Sequence, residues 1–164
     1  MLNLPYRFLI KFFHHAIALI LSGLLFISCD PKRIFEQNTA VETKGWKSTE
    51  PAEFNVLIED TVNLHNYYLN IRHTTGYKYD NIYFFIDTYF PEGSKTRDTI
   101  QVMLADATGK WYGKGLGNIR NAQVLIKTGM SFPVKGKYLF RIEQGMREFE
   151  LKGIEDVGIR IEKM

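Results

Sequence analysis

Hydrophobic and polar residues alternate in short runs along most of the chain. In 54–59 the apolar side chains of Phe54, Val56 and Ile58 occupy every second position, which is typical of a strand with one buried face. Turn residues end such runs, as at 91–94, and no helix-length apolar period separates them. The pattern predicts strands at 54–59, 67–73, 82–89, 99–104, around 111, and at 122–126, 137–143 and 157–162. Short strands at this spacing predict an all-β fold over residues 54–164, an antiparallel β-sandwich of the jelly-roll-like kind.

Residues 1–28 follow a different pattern and contain no acidic side chain. A basic segment with Arg7 and Lys11 precedes an apolar run at 16–27, and a small residue, Ser28, closes the segment before Cys29. This order is typical of a secretory signal peptide. Because a membrane-spanning helix needs roughly 20 apolar residues, the shorter run here favours a cleaved leader. The sequence therefore predicts a lipoprotein signal peptide over residues 1–28.

Cys29 is the only cysteine of the chain, so an internal disulfide and a cysteine-based zinc site are both excluded. The residues from Leu25 to Cys29 (LFISC) resemble a bacterial lipobox, although Phe26 stands where that signal usually has leucine. The resemblance implies that the thiol of Cys29 is acylated and that the leader is then removed. Two or three acyl chains, at about 0.8 kcal/mol for each buried methylene, hold a protein firmly on a membrane. The alternative is an uncleaved anchor helix followed by a cysteine without a role.

Residues 29–53 are polar and are interrupted by Pro31, Gly45 and Pro51. We expect them to form the lipidated cysteine and a flexible tether to the folded domain. Within this segment Trp46 either caps the domain or faces a partner. The chain is expected in the cell envelope, at the outer membrane in preference to the inner one, although Asp30 resembles an inner-membrane retention signal of enteric bacteria.

Charge gives no indication of a nucleic-acid partner. Of the 21 lysines and arginines, Arg7 and Lys11 belong to the leader, which leaves 19 basic against 18 acidic residues. No basic stripe remains after this subtraction, so binding to nucleic acid is not expected.

Few residues are candidates for chemistry. His65 and His73 lie eight positions apart, so one strand would turn both to the same side, where Asp80 or Asp87 would be needed as a further metal ligand. Surface histidines near turns are the simpler interpretation. The glycines of 113–117 suggest a phosphate loop, but no helical pattern follows them, and a close backbone approach at a bend explains them better.

No nucleophilic triad, general acid–base pair, metal site or cofactor motif is evident, and no small-molecule substrate is indicated. The sequence therefore predicts a protein without catalytic residues and without a cofactor. A hydrolase built around His65 or His73 is a weaker alternative.

Aromatic residues occur in adjacent pairs, at 67–68 and 111–112. On a regular strand each pair turns one ring outward, and outward rings favour a docking or sugar-stacking surface. Tyr67, Tyr112 and Trp46 are the candidate residues of such an interaction surface.

Several stretches together resemble one known family, the gliding-motility lipoprotein family GldH of the Bacteroidetes. They include the cysteine leader, Gly109-Lys110-Trp111-Tyr112-Gly113 and Glu143-Gln144-Gly145-Met146-Arg147. Further stretches of the resemblance lie at 68–72, 77–83, 104–106 and 156–158, in collinear order over nearly the whole chain. The resemblance implies an envelope lipoprotein that gliding members need for movement over surfaces and for the secretion apparatus linked to it. It implies no known catalytic residues, and members also occur in bacteria that do not glide.

Two functions therefore remain in competition at this point. The first is a lipid-anchored protein that binds the membrane through its N-terminal lipid and supports the motility and secretion machinery through contacts with other envelope proteins. The second is a carbohydrate-binding envelope lipoprotein that uses outward aromatic rings.

Overall fold

The computed structural model describes residues 10–15, 30–42 and 44–164, and the chain divides into two compact units, Met1–Pro31 and Lys32–Met164. In the first unit residues 10–15 are helical. Apart from those six residues, the predicted signal peptide lies outside the described residues, and so does Cys29.

No helix within the described ranges is long and apolar enough to cross a bilayer.

The second unit consists of ten strands, joined by turns and loops. Their bounds are β1 Arg33–Ala40, β2 Trp46–Lys47, β3 Ala52–Ile58, β4 His65–Thr74, β5 Asn81–Tyr89, β6 Lys95–Met103, β7 Ile119–Met130, β8 Gly136–Gln144, β9 Glu150–Leu151 and β10 Ile154–Lys163. The predicted all-β class is confirmed. The predicted strand around residue 111 is reduced to an isolated bridge between Ala105 and Trp111.

The eight long strands form two antiparallel four-stranded sheets, in the orders β1-β10-β4-β7 and β3-β8-β5-β6, here called sheet I and sheet II. Strands pair from the two ends of the chain toward its middle: β1 with β10, β3 with β8, β4 with β7 and β5 with β6. Pairings of β10 with β4 and of β8 with β5 then join these ribbons into the two sheets. This nested order is that of a jelly roll, as the sequence predicted.

The flexible tether predicted over residues 29–53 is wrong for most of its length. Residues 33–40 form β1, which pairs with β10 from Arg33 to Ala40, and 46–47 form β2. The folded unit therefore begins at Lys32 and not at Phe54. The polar composition suggested a loop because β1 is an edge strand that turns much of its surface to solvent. Its backbone groups are nevertheless hydrogen-bonded to β10.

The core lies between the two sheets and follows directly from the alternation in the sequence. Every second residue of β3, from Ala52 to Ile58, is buried, and β4 alternates in the same way from His65 to His73. Side chains from the two sheets meet in the middle, as where the Tyr67 and Phe140 ring centroids lie 5.2 Å apart. Burying such apolar and aromatic side chains is the main favourable contribution to folding.

The two short strands β2 and β9 pair with each other and carry Trp46. Its indole is 2% exposed, its ring centroid lies 6.1 Å from that of Phe84, and its Nε1 donates to the Glu50 carbonyl at 2.7 Å. Of the two roles considered for Trp46, the structure therefore supports the cap on the domain.

Candidate interaction surfaces

The three aromatic residues predicted to form an interaction surface do not lie together. Trp46 and Tyr67 are 2% and 4% exposed, so both belong to the core, whereas Tyr112 is 62% exposed. One ring of each pair faces outward, as predicted, but in the first pair that ring is Tyr68 and not Tyr67. Trp46 and Tyr67 are therefore corrected to core residues, and Tyr112 alone keeps the exposure that docking requires.

The two histidines are not at the surface, which corrects the simpler interpretation. His65 and His73 are both fully buried and share the inner side of β4, as their spacing predicted. His65 packs on the Phe132 ring at 5.2 Å, and His73 packs on the Trp111 ring at 4.7 Å. Within the described ranges, no three His, Cys, Asp or Glu side chains are placed to hold a metal ion. The metal hypothesis for His65 and His73 is therefore not supported.

The glycines of 113–117 form a bend, as the preferred interpretation expected. Lys114 and Asn121 exchange both of their backbone hydrogen bonds, which holds the bend against the start of β7. A Cβ at Gly113 would lie 3.0 Å from the Asn121 carbonyl oxygen, and one at Gly115 would meet the Ile119 carbonyl. The absent side chains thus permit this close approach, and a strand rather than a helix follows.

A shallow groove of about 460 Å³ runs across the outer face of sheet I. We call it the amide groove, because amide side chains predominate in it. Its lining consists of Glu36, Asn38, Asn70, Ile71, Arg72, Asn121, Ala122, Gln123 and Asp156.

The centre of the amide groove is one row of residues across the four strands. Asn38 lies opposite Gly158, Gly158 opposite Asn70, and Asn70 opposite Gln123. Gln123 Nε2 donates to Asn70 Oδ1 at 2.9 Å, and Asn70 Nδ2 donates to Asn38 Oδ1 at 3.1 Å. Because amides both donate and accept, this row offers the neutral hydrogen-bonding groups that suit an uncharged polar ligand.

Charged groups flank the row and neutralise one another. Glu36 accepts hydrogen bonds from Arg160 Nη1 at 2.7 Å and from Arg33 Nη1 at 3.2 Å, and Arg72 forms an ion pair with Asp156. Burial alone raises the pKa of Glu36, but the hydrogen bonds from Arg33, Arg160 and Asn70 outweigh it and hold this pKa below its ordinary value. The carboxylate is thus ionised and paired at neutral pH, and the groove presents little net charge.

Sequence reasoning missed the amide groove for a simple reason. Its members come from four strands that are far apart in the chain, and each is an ordinary outward polar residue of its own strand. The available signal was a concentration of Asn and Gln at outward strand positions, but register was needed to show that they form one row.

Comparison with known proteins covers almost all of the folded unit. The model of the GldH lipoprotein family matches residues 33–161, from the first strand to the last. A protein of Christiangramia forsetii named gliding motility lipoprotein GldH homolog is 31% identical over 151 residues, which cover 88% of this chain and 92% of that protein. The gliding motility lipoprotein GldH of Flavobacterium johnsoniae is 30% identical over 152 residues, covering 88% of this chain and 94% of that protein. The chain belongs to the GldH lipoprotein family.

Proposed function

We propose that this protein is a lipid-anchored envelope protein that supports gliding motility and the associated secretion machinery by binding other envelope proteins. The observation that supports this best is similarity over almost all of the folded unit to proteins named for gliding motility. The predicted acylation of Cys29 supplies the anchor. In this proposal the protein is a binding partner and catalyses no reaction.

The anchor has a physical consequence for such a role. A lipid on Cys29 confines the β-sandwich to a layer next to one membrane, which raises its effective concentration near other membrane-bound proteins. Binding surfaces of modest affinity then suffice for assembly. We place the anchor at the outer membrane, and separation of the two membranes by density gives the direct test.

The anchor is tested by the intact mass and detergent partitioning of the protein from its native host, beside a Cys29→Ala variant. The wild type is expected to lose residues 1–28, to gain the mass of a diacylglycerol group and an acyl chain, and to enter the detergent phase. The variant is expected to do none of these. Retention of residues 1–28 without added lipid would contradict the anchor.

The binding role is tested in a gliding host that lacks its own copy of the gene. Full-length protein is expected to restore spreading over a surface and to co-purify with envelope proteins after reversible cross-linking. The Cys29→Ala variant, at equal abundance, is expected to restore neither. Recovery of motility without any protein cross-link would count against partner binding.

A second function, glycan binding, is favoured by one specific observation, the amide groove. Its row of Asn38, Asn70 and Gln123 offers paired donors and acceptors of the kind that hydroxyl groups need. A glycan array probed with the full-length protein, beside an Asn70→Ala/Gln123→Ala variant, separates the two functions. Selective glycan binding that the double variant loses would favour the carbohydrate module, whereas no binding leaves the first proposal in place. Leu57→Ala, on an exposed residue of sheet II, is the matched control.

A further inference from the structure

The sandwich is incompletely closed along the side where β6 ends sheet II and β7 ends sheet I. Two neighbouring cavities of about 240 and 180 Å³ open there, and both are lined by Tyr67, Asp98 and Lys127. Ile100 and Ile126 line the first cavity and pack against the core, yet each remains partly exposed. We call this opening the β6–β7 cleft. Its apolar walls lack the neighbours that a closed sandwich would give them.

The Tyr67 hydroxyl is a buried hydrogen-bonding group inside this cleft. Its side chain is almost fully buried, and its oxygen has no hydrogen-bond partner among the described residues. Burial, and to a smaller extent the nearby Asp98 carboxylate, raises the pKa of Tyr67, so the group stays protonated as a donor. An unpaired buried hydroxyl destabilises the fold, and an acceptor that enters the cleft would relieve this cost.

The backbone beside the cleft is also open. Asn121 directs its N–H and C=O away from β4, because both bond to Lys114. Backbone direction alternates along a strand, so Gln123 and Leu125 turn their N–H and C=O the same way, beyond the reach of the 113–117 bend. β7 is the longest strand of the sheets and ends sheet I, which makes this stretch a template for another strand.

Charge indicates what kind of segment fits. β7 carries Arg120 and Lys127 and no acidic residue. Lys127 forms no ion pair within the described ranges, whereas the cations of β6, Lys95 and Arg97, are both bound to Asp87. Asp98 of β6 also lines the cleft, but β7 itself is a positive strand, so acidic side chains of a segment that adds along β7 complement it.

We propose that the β6–β7 cleft binds an extended acidic segment of a partner protein, which adds as a strand to β7 and places one apolar side chain between Ile100 and Ile126. Main-chain hydrogen bonds to Gln123 and Leu125 supply affinity, and the cleft supplies specificity. The Tyr67 hydroxyl donates to an oxygen of the bound segment. This inference rests on the proposed function, since it names the surface through which an envelope partner is bound.

The test uses the full-length protein in its native host, with a photo-reactive amino acid placed at Leu125. That side chain is 48% exposed and lies beside the free edge, within about 5 Å of where an added strand would place its own side chains. The same probe at Leu57, exposed on sheet II, is the control. Cross-linked peptides are then sequenced by mass spectrometry.

We expect position 125, and not position 57, to cross-link to one segment of a single envelope protein with alternating apolar residues and at least one acid. Gln123→Pro removes an outward N–H and keeps the backbone hydrogen bonds to β4, and it is expected to abolish this product. Gln123→Ala, which like the proline variant loses the side-chain bond to Asn70 but keeps the N–H, is the matched control and should leave the product in place. Tyr67→Phe removes the donor and keeps the ring, and it is expected to lower the yield severalfold. Thermal unfolding of each variant checks that the fold is intact.

Other results overturn the inference in distinguishable ways. Products at position 125 that carry a lipid or a glycan would assign a different occupant to the cleft. Envelope-protein products at position 57 but not at 125 would refute the docking site and leave the proposed function standing. Absence of protein products at both positions would count against the proposed function as well. Products at 125 that neither variant changes would exclude strand addition.

Discussion

Gly158 of β10 and Asn38 of β1 are cross-strand partners, and the Asn38 side chain occupies the space that a Cβ at position 158 would need. A Cβ there would also lie only 2.5 Å from the Gln37 carbonyl oxygen. The glycine therefore allows β1 to lie against β10 while the amide of Asn38 reaches across to Asn70. The row of amides that crosses sheet I depends on this one missing side chain.

Gly158→Ala is expected to lower the free energy of unfolding by about 1–3 kcal/mol, because the added methyl group forces β1 to shift. Truncating the neighbour in the double variant Asn38→Ala/Gly158→Ala should not restore stability, since the Gln37 carbonyl is backbone and remains. Urea unfolding followed by fluorescence measures both. Gly76→Ala is the control: its Cβ would meet only Thr74 Oγ1 at 3.6 Å, and its stability should stay close to the wild type.

Two tyrosine hydroxyls of the core give opposite expectations. The Tyr138 hydroxyl donates to the Val134 carbonyl at 2.8 Å, so Tyr138→Phe is expected to cost about 1 kcal/mol. The Tyr67 hydroxyl has no partner among the described residues, so Tyr67→Phe removes an unpaired group and should leave stability equal or up to about 1 kcal/mol higher. Parallel urea titrations compare the free energies of unfolding of the two variants with that of the wild type. A loss in Tyr67→Phe as large as that in Tyr138→Phe would mean that its hydroxyl is already bonded in the free protein.

Alternation of apolar residues predicted most of this fold because β3 and β4 each bury one face completely and β10 buries Val157, Ile159 and Ile161 on one face. It failed for β1. There the apolar residues Ile34 and Phe35 are consecutive, and they coincide with a register irregularity between Arg33 and Phe35. The outer positions that follow hold Glu36 and Asn38. An edge strand with a bulge and a polar outer face has no strict period of two, so only pairing with β10 identifies it.

The candidate surfaces were harder to predict than the strands. Asn38 and Gly158 meet only because the first and last strands pair, and the cleft exists only because β6 and β7 end their sheets on the same side. Such relationships depend on register and strand order, which no local pattern contains. Tyr67 is a different case, because it shares the alternation of Leu69 and Ile71, and this period of two already indicates that its ring faces inward.

Burial of His73 makes stability depend on pH. The pKa of His73 is lowered chiefly because burial disfavours the charged ring, while the bond to the Thr74 carbonyl opposes this and the Arg120 charge adds to it. In the unfolded chain the pKa is near 6.5, so the unfolded state takes up the proton first as pH falls. The stability that neutral His73 contributes to the fold is thus complete above about pH 6.5 and is lost as pH falls through the lower pKa of the folded state.

The free energy of unfolding should therefore decrease as pH falls below about 6.5, and His73→Gln should show a shallower slope over that range even if it is less stable throughout. Urea titrations at half-unit pH steps give the two slopes. Equal slopes in wild type and variant would mean that His73 is not the group responsible.

Asp87 is a buried carboxylate on the outer side of sheet II, covered by the cations that pair with it. Its side chain is 1% exposed, and its Oδ2 lies 2.9 Å from Lys95 Nζ and 3.2 Å from Arg97 Nη1. Arg97 also binds Glu143 at 2.6 Å, and Glu143 is more exposed than Asp87. Neutralising Asp87 should therefore destabilise the fold more than neutralising Glu143, because water reaches the half-buried Glu143 better than the enclosed Asp87.

Asp87→Asn is accordingly expected to lower the free energy of unfolding by about 1–3 kcal/mol, and Glu143→Gln by less than about 1 kcal/mol. Adding 1 M salt should reduce the effect of Glu143→Gln more than that of Asp87→Asn, since screening acts mainly on the exposed pair. Urea unfolding of the wild type and both variants at low and high salt gives the change in the free energy of unfolding for each variant at each salt concentration. A larger loss of stability in Glu143→Gln than in Asp87→Asn would show that Arg97 depends chiefly on the more exposed carboxylate, Glu143.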